Sequence, residues 1–366
     1  MRVGLVANPF SARDIRRVIA NAASLQVTDR ANIVLRVLAC LGACGVSEVL
    51  AMPERGGIRA HVDRGIERAR NTGGERFASV RHLEFPVTGT VEDTRRAVRA
   101  MVDEGVSAIV VLGGDGTHRA VAMDCGRTPI ACVSTGTNNA FPDHREPTVT
   151  GLATGLAVSG RVPPEVAYAS NKRLLVTING TERHPALVDV AIVAERVVGA
   201  RALWRPESLR ELYVTFADPS VIGLSAIAGF LEPVGRRETD GAMVEIGAPD
   251  GEGGTPEGNS AVRIEVPIAP GWLRTIDVRA FSRLPPGAVC TPRLRAGMIA
   301  LDGEREVGFG EDDEVRVVLE PDAVRTVDVE ACMDYAARNG LFRVDGHRAL
   351  DAAPPPGEGA AGGVRR

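Results

Sequence analysis

The 366-residue sequence contains almost no lysine. Lys172 is the only lysine among 43 basic residues, and it is followed by Arg173 rather than by serine or threonine. A phosphate-binding P-loop requires a Gly-Lys-Ser/Thr step, so P-loop kinases and ATPases are excluded. Enzymes that form a Schiff base through lysine are excluded as well, unless Lys172 itself is the nucleophile.

The sequence also lacks long apolar runs, positive net charge and a metal-binding cysteine pattern. No run reaches the roughly 18–20 apolar residues that cross a membrane, and the N-terminus shows no signal-peptide pattern. We therefore expect a cytoplasmic protein without membrane insertion. A formal net charge of −4 argues against a nucleic-acid partner. The six cysteines follow no zinc-ligand spacing and are expected to be buried thiols.

The first 165 residues alternate apolar segments with amphipathic ones. Alternating strands and helices are typical of a mainly parallel sheet with helices on both faces, so we predict a doubly wound α/β nucleotide-binding domain over residues 1–165. The predicted strands are 2–7, 48–52, 81–85, 106–112 and 129–133, and the predicted helices are 12–22, 30–44, 60–71, 91–104 and 117–125.

After residue 165 the pattern changes to a period of two, most clearly in Val262, Ile264, Val266 and Ile268. This period is typical of antiparallel sheet with one polar face. We predict a mostly β domain over residues 166–330. Its further strands are predicted at 173–179, 186–194, 211–217, 276–280, 297–301, 314–320 and 324–329.

Three further segments are assigned by composition. A helix within 331–346 is expected to return to the first domain. Residues 236–260 are rich in glycine, proline and acid, and we expect a mobile excursion there. The proline- and glycine-rich tail at 352–366 is expected to be disordered.

The strongest motif follows the predicted strand at 106–112 and reads Gly113-Gly114-Asp115-Gly116-Thr117. Glycines allow a backbone to approach a ligand closely, and the free amides at a helix start suit phosphate. Asp115 is placed at the carboxyl end of a parallel strand, where open α/β sheets bind ligands. The alternative is an ordinary Asp-Gly turn.

A dinucleotide-binding Rossmann fingerprint fits this turn poorly. Arg119 stands where the third glycine of that fingerprint belongs, and the motif follows the fourth predicted strand rather than the first.

Two other polar loops follow predicted strands, one at 134–141 and one after residue 7. Their hydroxyl and amide groups can bind phosphate, ribose or a base without charge, while helix capping or a turn is the alternative for each loop. Together with the glycine turn they predict one nucleotide cleft. The candidate binding residues in them are Asn8, Ser11, Thr135, Gly136, Thr137, Asn138 and Asn139.

Two further sites have both a functional and a structural interpretation. Asp302 and Glu304 follow the predicted strand at 297–301, where a carboxylate could hold Mg²⁺ through water or simply form a hairpin turn. His118 comes directly after the glycine turn. It could contact a phosphate as a cation, or lie on the surface of a helix.

These motifs resemble the superfamily that joins NAD kinases, diacylglycerol and sphingosine kinases, and phosphofructokinases. The Gly-Gly-Asp-Gly-Thr turn is its hallmark, and the loops at 8–11, 136–141 and 302–304 look like those of the lipid-kinase branch. Residues 216–229 are similar to a substrate loop of NAD kinases. The whole set most resembles the acetoin-catabolism protein X-like branch of the ATP-NAD kinase family, which implies an α/β nucleotide domain followed by a β-sandwich.

The resemblance implies a kinase that transfers a phosphoryl group from ATP, or another phosphate donor, to a hydroxyl of NAD or a related metabolite. It also implies assembly into a homo-oligomer through the β domain. The implied roles are orientation or deprotonation of the acceptor by Asp115, donor binding by Gly113, Gly114, Gly116 and Thr117, nucleotide or substrate binding by Asn138 and Asn139, and Mg²⁺ binding by Asp302 and Glu304.

The sequence departs from the NAD kinase pattern at the substrate. NAD kinases hold adenosine with an Asn-Glu pair, and the matching residues here are Val188 and Asp189. Asp189 could still bind a ribose hydroxyl, or lie on an exposed face. Gly223 and Ser225 are substrate-binding candidates in a loop that lacks the NAD kinase tyrosine. Two alternatives follow: a nucleotide-binding sensor without transfer, and a kinase for a lipid or polyol.

Overall fold

A computed structural model describes residues 1–9, 25–73, 77–135, 139–194, 206–247, 262–269 and 271–343, apart from the side chains of residues 206 and 304–306. The helix predicted at 12–22 and the tail at 352–366 lie outside these ranges. None of the helices within them is long and apolar enough to cross a membrane.

The N-terminal part of the chain forms a parallel sheet whose strands pair in the order β3-β2-β1-β4-β5. New strands are added on one side of β1 up to β3 and on its other side from β4. The carboxyl ends of β1 and β4 therefore meet at a topological switch point, where α/β sheets bind ligands. The strands are β1 (Arg2–Ala7), β2 (Glu48–Ala51), β3 (Ser79–His82), β4 (Ile109–Gly113) and β5 (Ile130–Ser134), and the helices are α1 (Val27–Ala43), α2 (Ile58–Asn71), α3 (Val91–Asp103), α4 (Asp115–Asp124) and α5 (Pro147–Val158).

Helices cover both faces of this sheet, as the alternation of strand residues requires. Within β4, Val110 and Leu112 join the core that contains α1, α2 and α5. Ile109 and Val111 join the core that contains the apolar stripe of α3 and part of α4. Every residue of β4 is buried, which explains why the strand reads as a continuous apolar run.

Helix α5 escapes prediction from the sequence because it has almost no polar face. Most of its residues are buried, so no amphipathic period marks it. Two glycines let it approach α1 closely. A Cβ added to Gly155 would lie 2.5 Å from Cys44 Cβ, and one added to Gly151 would lie 3.1 Å from Val37 Cα.

The second half of the chain is mostly strand. The strands are β6 (Tyr168–Ile178), β7 (Glu182–Ala186), β8 (Asp189–Val193), β9 (Leu209–Val214), β10 (Gly241–Ile246), β11 (Val262–Ala269), β12 (Trp272–Leu284), β13 (Val289–Cys290), β14 (Gly297–Leu301), β15 (Glu304–Phe309) and β16 (Val315–Val327). Short helices follow at α6 (Pro164–Ala167), α7 (Leu224–Gly229) and α8 (Val329–Arg338), with a 3₁₀ turn at Pro206–Ser208.

The first sheet continues into the second half of the chain. Strand β16 pairs in parallel with β5, through Thr326 and Ile130, and in antiparallel with β6. With β7 and β13 added, this sheet has nine strands within the described residues, and a separate antiparallel sheet has the order β11-β12-β10-β9-β8-β14-β15. The predicted class, a mainly parallel α/β part followed by antiparallel sheet, is confirmed. The predicted division at residue 165, however, does not separate the two sheets.

The sandwich core lies between these two sheets. Leu174 and Leu319 come from the extended first sheet, while Ile192 and Tyr213 come from the second. The other face of the second sheet packs against α7. Helix α8 packs in the N-terminal core through Cys332 and Ala336, so the chain does return to its first half.

Some predicted boundaries are wrong. Residues 241–246 are not part of a mobile excursion, because they form β10 inside the second sheet, between β9 and β12. The strand predicted at 186–194 is divided between β7 and β8. The strands predicted at 314–320 and 324–329 are one strand, β16, with an irregularity between Glu320 and Val324.

We expect Gly155→Ala to destabilise the fold by about 1–3 kcal/mol, the cost of overpacking a filled core. At a helix position with free space the same change would stabilise by up to ~1 kcal/mol, because alanine has the better helix propensity. Urea unfolding measures the difference. Val149→Ala, at an exposed position of the same helix, is the control and should stay within about 0.5 kcal/mol. A more stable Gly155→Ala protein would contradict the close helix contact.

Candidate functional site

Three neighbouring strands end side by side at one edge of the parallel sheet. Ala7 is in register with Leu112, and Gly113 is in register with Ser134. The polar loops after β1, β4 and β5 therefore leave the sheet at the same place. Ser11, Gly136, Thr137 and Asn138 lie outside the described residues, so their binding roles stay predictions.

The loop after β1 is fixed by helix α1 as far as it is described. The buried Arg30 donates from Nη1 to the carbonyl of Asn8 at 2.5 Å. Pro9 packs against Gly56, where an added Cβ would lie 2.2 Å from Pro9 Cβ. Asn8 itself is partly exposed at this edge.

The glycine turn leads directly into helix α4. Gly114 is the N-cap and Asp115 is the first helical residue, so the alternative of an ordinary Asp-Gly turn is wrong. A Cβ on Gly113 would lie 2.4 Å from Thr117 Cβ, and one on Gly114 would lie 2.8 Å from Asn139 Oδ1. Close packing therefore requires glycine at position 113, whereas at position 114 a side chain would displace the end of the Asn139 side chain. The turn ends at a helix N-terminus that suits an anion.

Asp115 is held by the backbone of the neighbouring loop. Its Oδ2 accepts the N–H of Ala140 at 3.0 Å, and its Oδ1 accepts the N–H of Phe141 at 2.9 Å. Two donors on two oxygens fix the plane of the carboxylate. The residue is partly exposed, so its oriented charge lies at the edge where the polar loops meet.

The loop after β5 closes on itself and on the glycine turn. Asn139 Nδ2 donates to Ser134 Oγ at 2.8 Å, and the buried Thr135 donates its N–H to the carbonyl of Gly113 at 3.3 Å. Asn139 therefore touches both loops. This arrangement leaves Asp115 between the helix start and the end of the 134–141 loop.

A second carboxylate, Asp302, connects the two sheets behind this site. Its Oδ1 accepts the N–H of Leu187 at 2.9 Å and the N–H of Val188 at 2.8 Å. Asp189 completes the connection, because its Oδ1 accepts the N–H of Gly303 at 3.1 Å. Asp302 has a φ of +52°, a left-handed conformation that aspartate tolerates in turns.

Arg119, the residue that spoils the dinucleotide fingerprint, reaches this connection from helix α4. Its Nη1 donates to the carbonyl of Leu301 at 3.2 Å, and its Nε lies 3.6 Å from Asp302 Oδ2. Burial raises the pKa of the Asp302 carboxyl to about 8, opposed by Arg119 and increased by the charges of Asp189 and Asp115.

The Mg²⁺ role of Asp302 stays a prediction. One of its oxygens receives backbone N–H groups, and the other lies 3.6 Å from the Arg119 guanidinium. Within the described ranges no group of three or more acidic, histidine or cysteine side chains could hold a metal ion. Glu304 has no described side chain, so its metal role stays a prediction.

Two predicted substrate contacts are wrong. His118 does not lie on the helix surface, and it is not a cation available to a phosphate. It is fully buried, its Nδ1 is 2.9 Å from the carbonyl of Gly114, and burial lowers its pKa to about 4, so the ring is neutral at pH 7. Ser225 is also buried, and its hydroxyl donates to the carbonyl of Phe216 at 2.6 Å.

The structure shows where Asp189 and Gly223 lie, but it does not test their predicted contacts with substrate. Asp189 is buried, so the alternative of an exposed strand face is wrong, and a contact with substrate stays a prediction. Gly223 precedes helix α7 with a φ of +120°, and it donates its N–H to the carbonyl of Pro267 at 3.2 Å. Its substrate role also stays a prediction.

Sequence reasoning misses the groups that hold Asp115. Ala140 and Phe141 act through backbone N–H groups, which carry no side-chain signature. Arg119 does leave a signal, since it stands where the dinucleotide fingerprint has its third glycine. Its burial within helix α4 is what the sequence does not reveal.

The fold and this site place the chain beside known proteins. Residues 3–161 match the ATP-NAD kinase N-terminal domain, which defines the class of the first half as NAD kinase-like. Residues 172–322 match the acetoin catabolism protein X C-terminal domain. Acetoin catabolism protein X from Cupriavidus necator is 54% identical over 345 residues, covering 93% of this chain and 94% of that protein. The chain belongs to the acetoin catabolism protein X family.

In the folded protein the pKa of Asp302 is about 8, against an ordinary value of 3.8. Between these values the folded chain keeps a proton that the unfolded chain releases, so this group's contribution to stability falls as the pH rises from about 4 to about 8. Asp302→Asn has no such titration. We expect the free energy of unfolding of the unmodified protein to fall relative to that of Asp302→Asn across this window.

Urea unfolding of both proteins over the pH range measures this difference. Asp313→Asn is the control, because the N–H of Gly310 lowers the pKa of Asp313. Its titration therefore affects stability only at the acid end, and in the opposite direction. A difference between the unmodified protein and Asp302→Asn that does not vary with pH would contradict the raised pKa.

Proposed function

We propose that the protein is a kinase that transfers a phosphoryl group from ATP, or another phosphate donor, to a hydroxyl of NAD or a related small metabolite. The NAD kinase-like domain supports a kinase-type enzyme. The observation that carries the proposal is the fixed carboxylate of Asp115, held by two backbone N–H groups at the start of helix α4.

This geometry suits phosphoryl transfer, which depends mostly on positioning and on stabilisation of charge. The acceptor oxygen attacks the terminal phosphorus of the donor, the bond to the bridging oxygen breaks, and the shortened donor leaves. Asp115 orients the acceptor hydroxyl or takes its proton. The glycine turn and the N-terminus of α4 lie beside it and offer a positive partial charge to the donor phosphates.

The donor assignment rests on the family, since NAD kinases generally use ATP and Mg²⁺. The chain supplies no lysine to the phosphates in this arrangement. Its single lysine, Lys172, is buried in β6 and donates to the carbonyls of Gly235 and Asp240. Among the described groups at this edge of the sheet, we expect the backbone amides of the glycine turn and the N-terminus of α4 to bind the phosphates.

The acceptor is the least constrained part of the proposal. Val188 is buried in the core, and the Asp189 carboxylate binds Gly303 within the fold. Neither residue presents the amide and carboxylate that hold adenosine in NAD kinases. This observation favours an acceptor other than NAD, with a lipid or polyol as the second candidate. It also keeps open the alternative of a nucleotide-binding sensor that performs no transfer.

Asp115→Asn separates the kinase from the sensor. For a kinase we expect kcat to fall by about 10²–10⁴-fold, the usual contribution of a general acid or base. The dissociation constant of the nucleotide should change much less than kcat, because the glycine turn and the N-terminus of α4 are unchanged. Asparagine keeps one acceptor oxygen, so it can accept the N–H of Ala140 or of Phe141 but presents an NH₂ donor to the other. Product formation from ATP-Mg²⁺ with a panel of NAD, nucleosides, polyols and lipids measures the rate, and calorimetry measures binding.

Asp93→Asn is the matched control. Asp93 lies in the first turn of α3, and its carboxylate also accepts backbone N–H groups, from Thr88 and Gly89. The contacts of its carboxylate lie within residues 88–90, just before α3, and not in the glycine turn or the 134–141 loop, so kcat should be unchanged. No phosphorylated product from any acceptor, with nucleotide binding intact in the unmodified protein, would reject the kinase and leave the sensor.

A further inference from the structure

Arg236 contacts the loop that holds Asp115 and two side chains beside that loop. Its guanidinium donates to the carbonyl of Phe141 at 3.1 Å and also to the carbonyl of Ala140. The guanidinium carbon lies 4.0 Å from the centre of the Phe216 ring, and Nη2 lies 3.7 Å from Asp143 Oδ1. The side chain is 29% exposed, so water screens these contacts only in part.

Ala140 and Phe141 bind both Asp115 and Arg236, through different backbone groups. The N–H groups of Ala140 and Phe141 bind the carboxylate of Asp115, and their carbonyl groups bind the guanidinium of Arg236. The 140–141 segment is therefore fixed between an acid from the first half of the chain and an arginine from the second. The peptide group that joins Ala140 to Phe141 takes part on both sides, because its N–H binds Asp115 and its carbonyl binds Arg236, so its rotation would break both contacts.

Arg236 lies on a turn at residues 235–240, which the single lysine of the chain stabilises. Lys172 Nζ donates to the carbonyl of Gly235 at 3.2 Å and to that of Asp240 at 2.6 Å, and so spans the turn at both ends. Glu238 closes the turn by accepting the N–H of Gly235 at 2.7 Å and by pairing with Arg283. Lys172 is only 6% exposed.

We propose that Arg236 is a positioning residue that sets the orientation of the Asp115 carboxylate through the Ala140–Phe141 backbone, and that Lys172 anchors the turn that carries it. The inference rests on the proposed phosphoryl transfer. The guanidinium of arginine holds its donors in a rigid planar fork, whereas the ammonium of lysine is a compact point charge on a flexible stem. Lysine at position 236 should therefore replace the charge without reproducing the fixed geometry of the two bonds.

The test compares Arg236→Ala, Arg236→Lys and Lys172→Met with the unmodified protein. We expect kcat to fall by about 10–100-fold in Arg236→Ala, the effect of a small misplacement of a catalytic group. KM for the donor should change less than kcat, because the helix terminus and glycine turn are untouched. Arg236→Lys should recover little, and Lys172→Met should show a loss in the same direction.

Arg173→Ala is the matched control. Arg173 is 26% exposed and pairs with Glu320 on β16, so its loss removes a similar ion pair on the strand that carries Lys172 without touching the 235–240 turn. We expect its kcat to equal that of the unmodified protein. A loss in this variant as large as that in Arg236→Ala would overturn the specific role of Arg236.

A double variant separates positioning from general damage. In an Asp115→Asn background, Arg236→Ala should have little further effect on the residual kcat, because the two residues act through one carboxylate. An equal further loss in that background, or an unchanged kcat in Arg236→Ala, would overturn the inference. If Arg236→Ala does not fold, the same comparison is made with Arg236→Lys.

Hydrogen exchange gives a readout that does not depend on activity. We expect faster exchange of the Ala140 and Phe141 amides in Arg236→Ala and in Lys172→Met, with no change in Arg173→Ala. If the unmodified protein phosphorylates no acceptor, the proposed function fails, and the exchange rates still decide whether Arg236 holds the segment. Unchanged exchange in Arg236→Ala would reject the clamp even in an active enzyme.

Discussion

The pairing of β16 with both β5 and β6 is the constraint on which the rest of the structure depends. An unpaired β5 would leave the parallel sheet with an open edge. β16 runs along β6 and reaches β5 near its own end, where Thr326 pairs with Ile130. Because β5 leads into the loop at 134–141, this ladder fixes the second half of the chain beside that loop. The Asp302 and Arg236 turns then reach the site from the second half.

The strands and helices around the site could be predicted from the sequence because burial leaves a periodic pattern. β1, β4 and β5, and the glycine turn between β4 and α4, follow from apolar runs that end in small polar residues. The fixation of Asp115 could not be predicted in this way. It depends on the backbone of Ala140 and Phe141 and on Arg236, which is 95 residues from Phe141 in sequence, and no local pattern encodes a contact of that range.

The errors in the prediction have a common physical origin in burial. The sequence does not reveal β10, because glycine and acidic residues surround it. It does not reveal α5 either, because that helix lacks a polar face. His118 and Ser225 are polar residues that the fold encloses. A polar side chain beside a binding loop is easily assigned to the ligand, yet enclosed groups need hydrogen-bond partners within the protein. Such residues support the site from behind.

The scarcity of lysine acquires a structural meaning here. The one lysine is withdrawn from solvent, and burial lowers its pKa to about 8, opposed by Glu238 and Asp240. A group in that position is poorly suited to hold phosphate charge at the edge of the parallel sheet. What it does instead is close the 235–240 turn through two carbonyls, and the arginine on that turn faces the loop of Asp115. Lys172 therefore acts on the proposed reaction through the geometry of the backbone. It fixes the turn that carries Arg236, Arg236 binds the carbonyls of Ala140 and Phe141, and the N–H groups of these two residues bind Asp115.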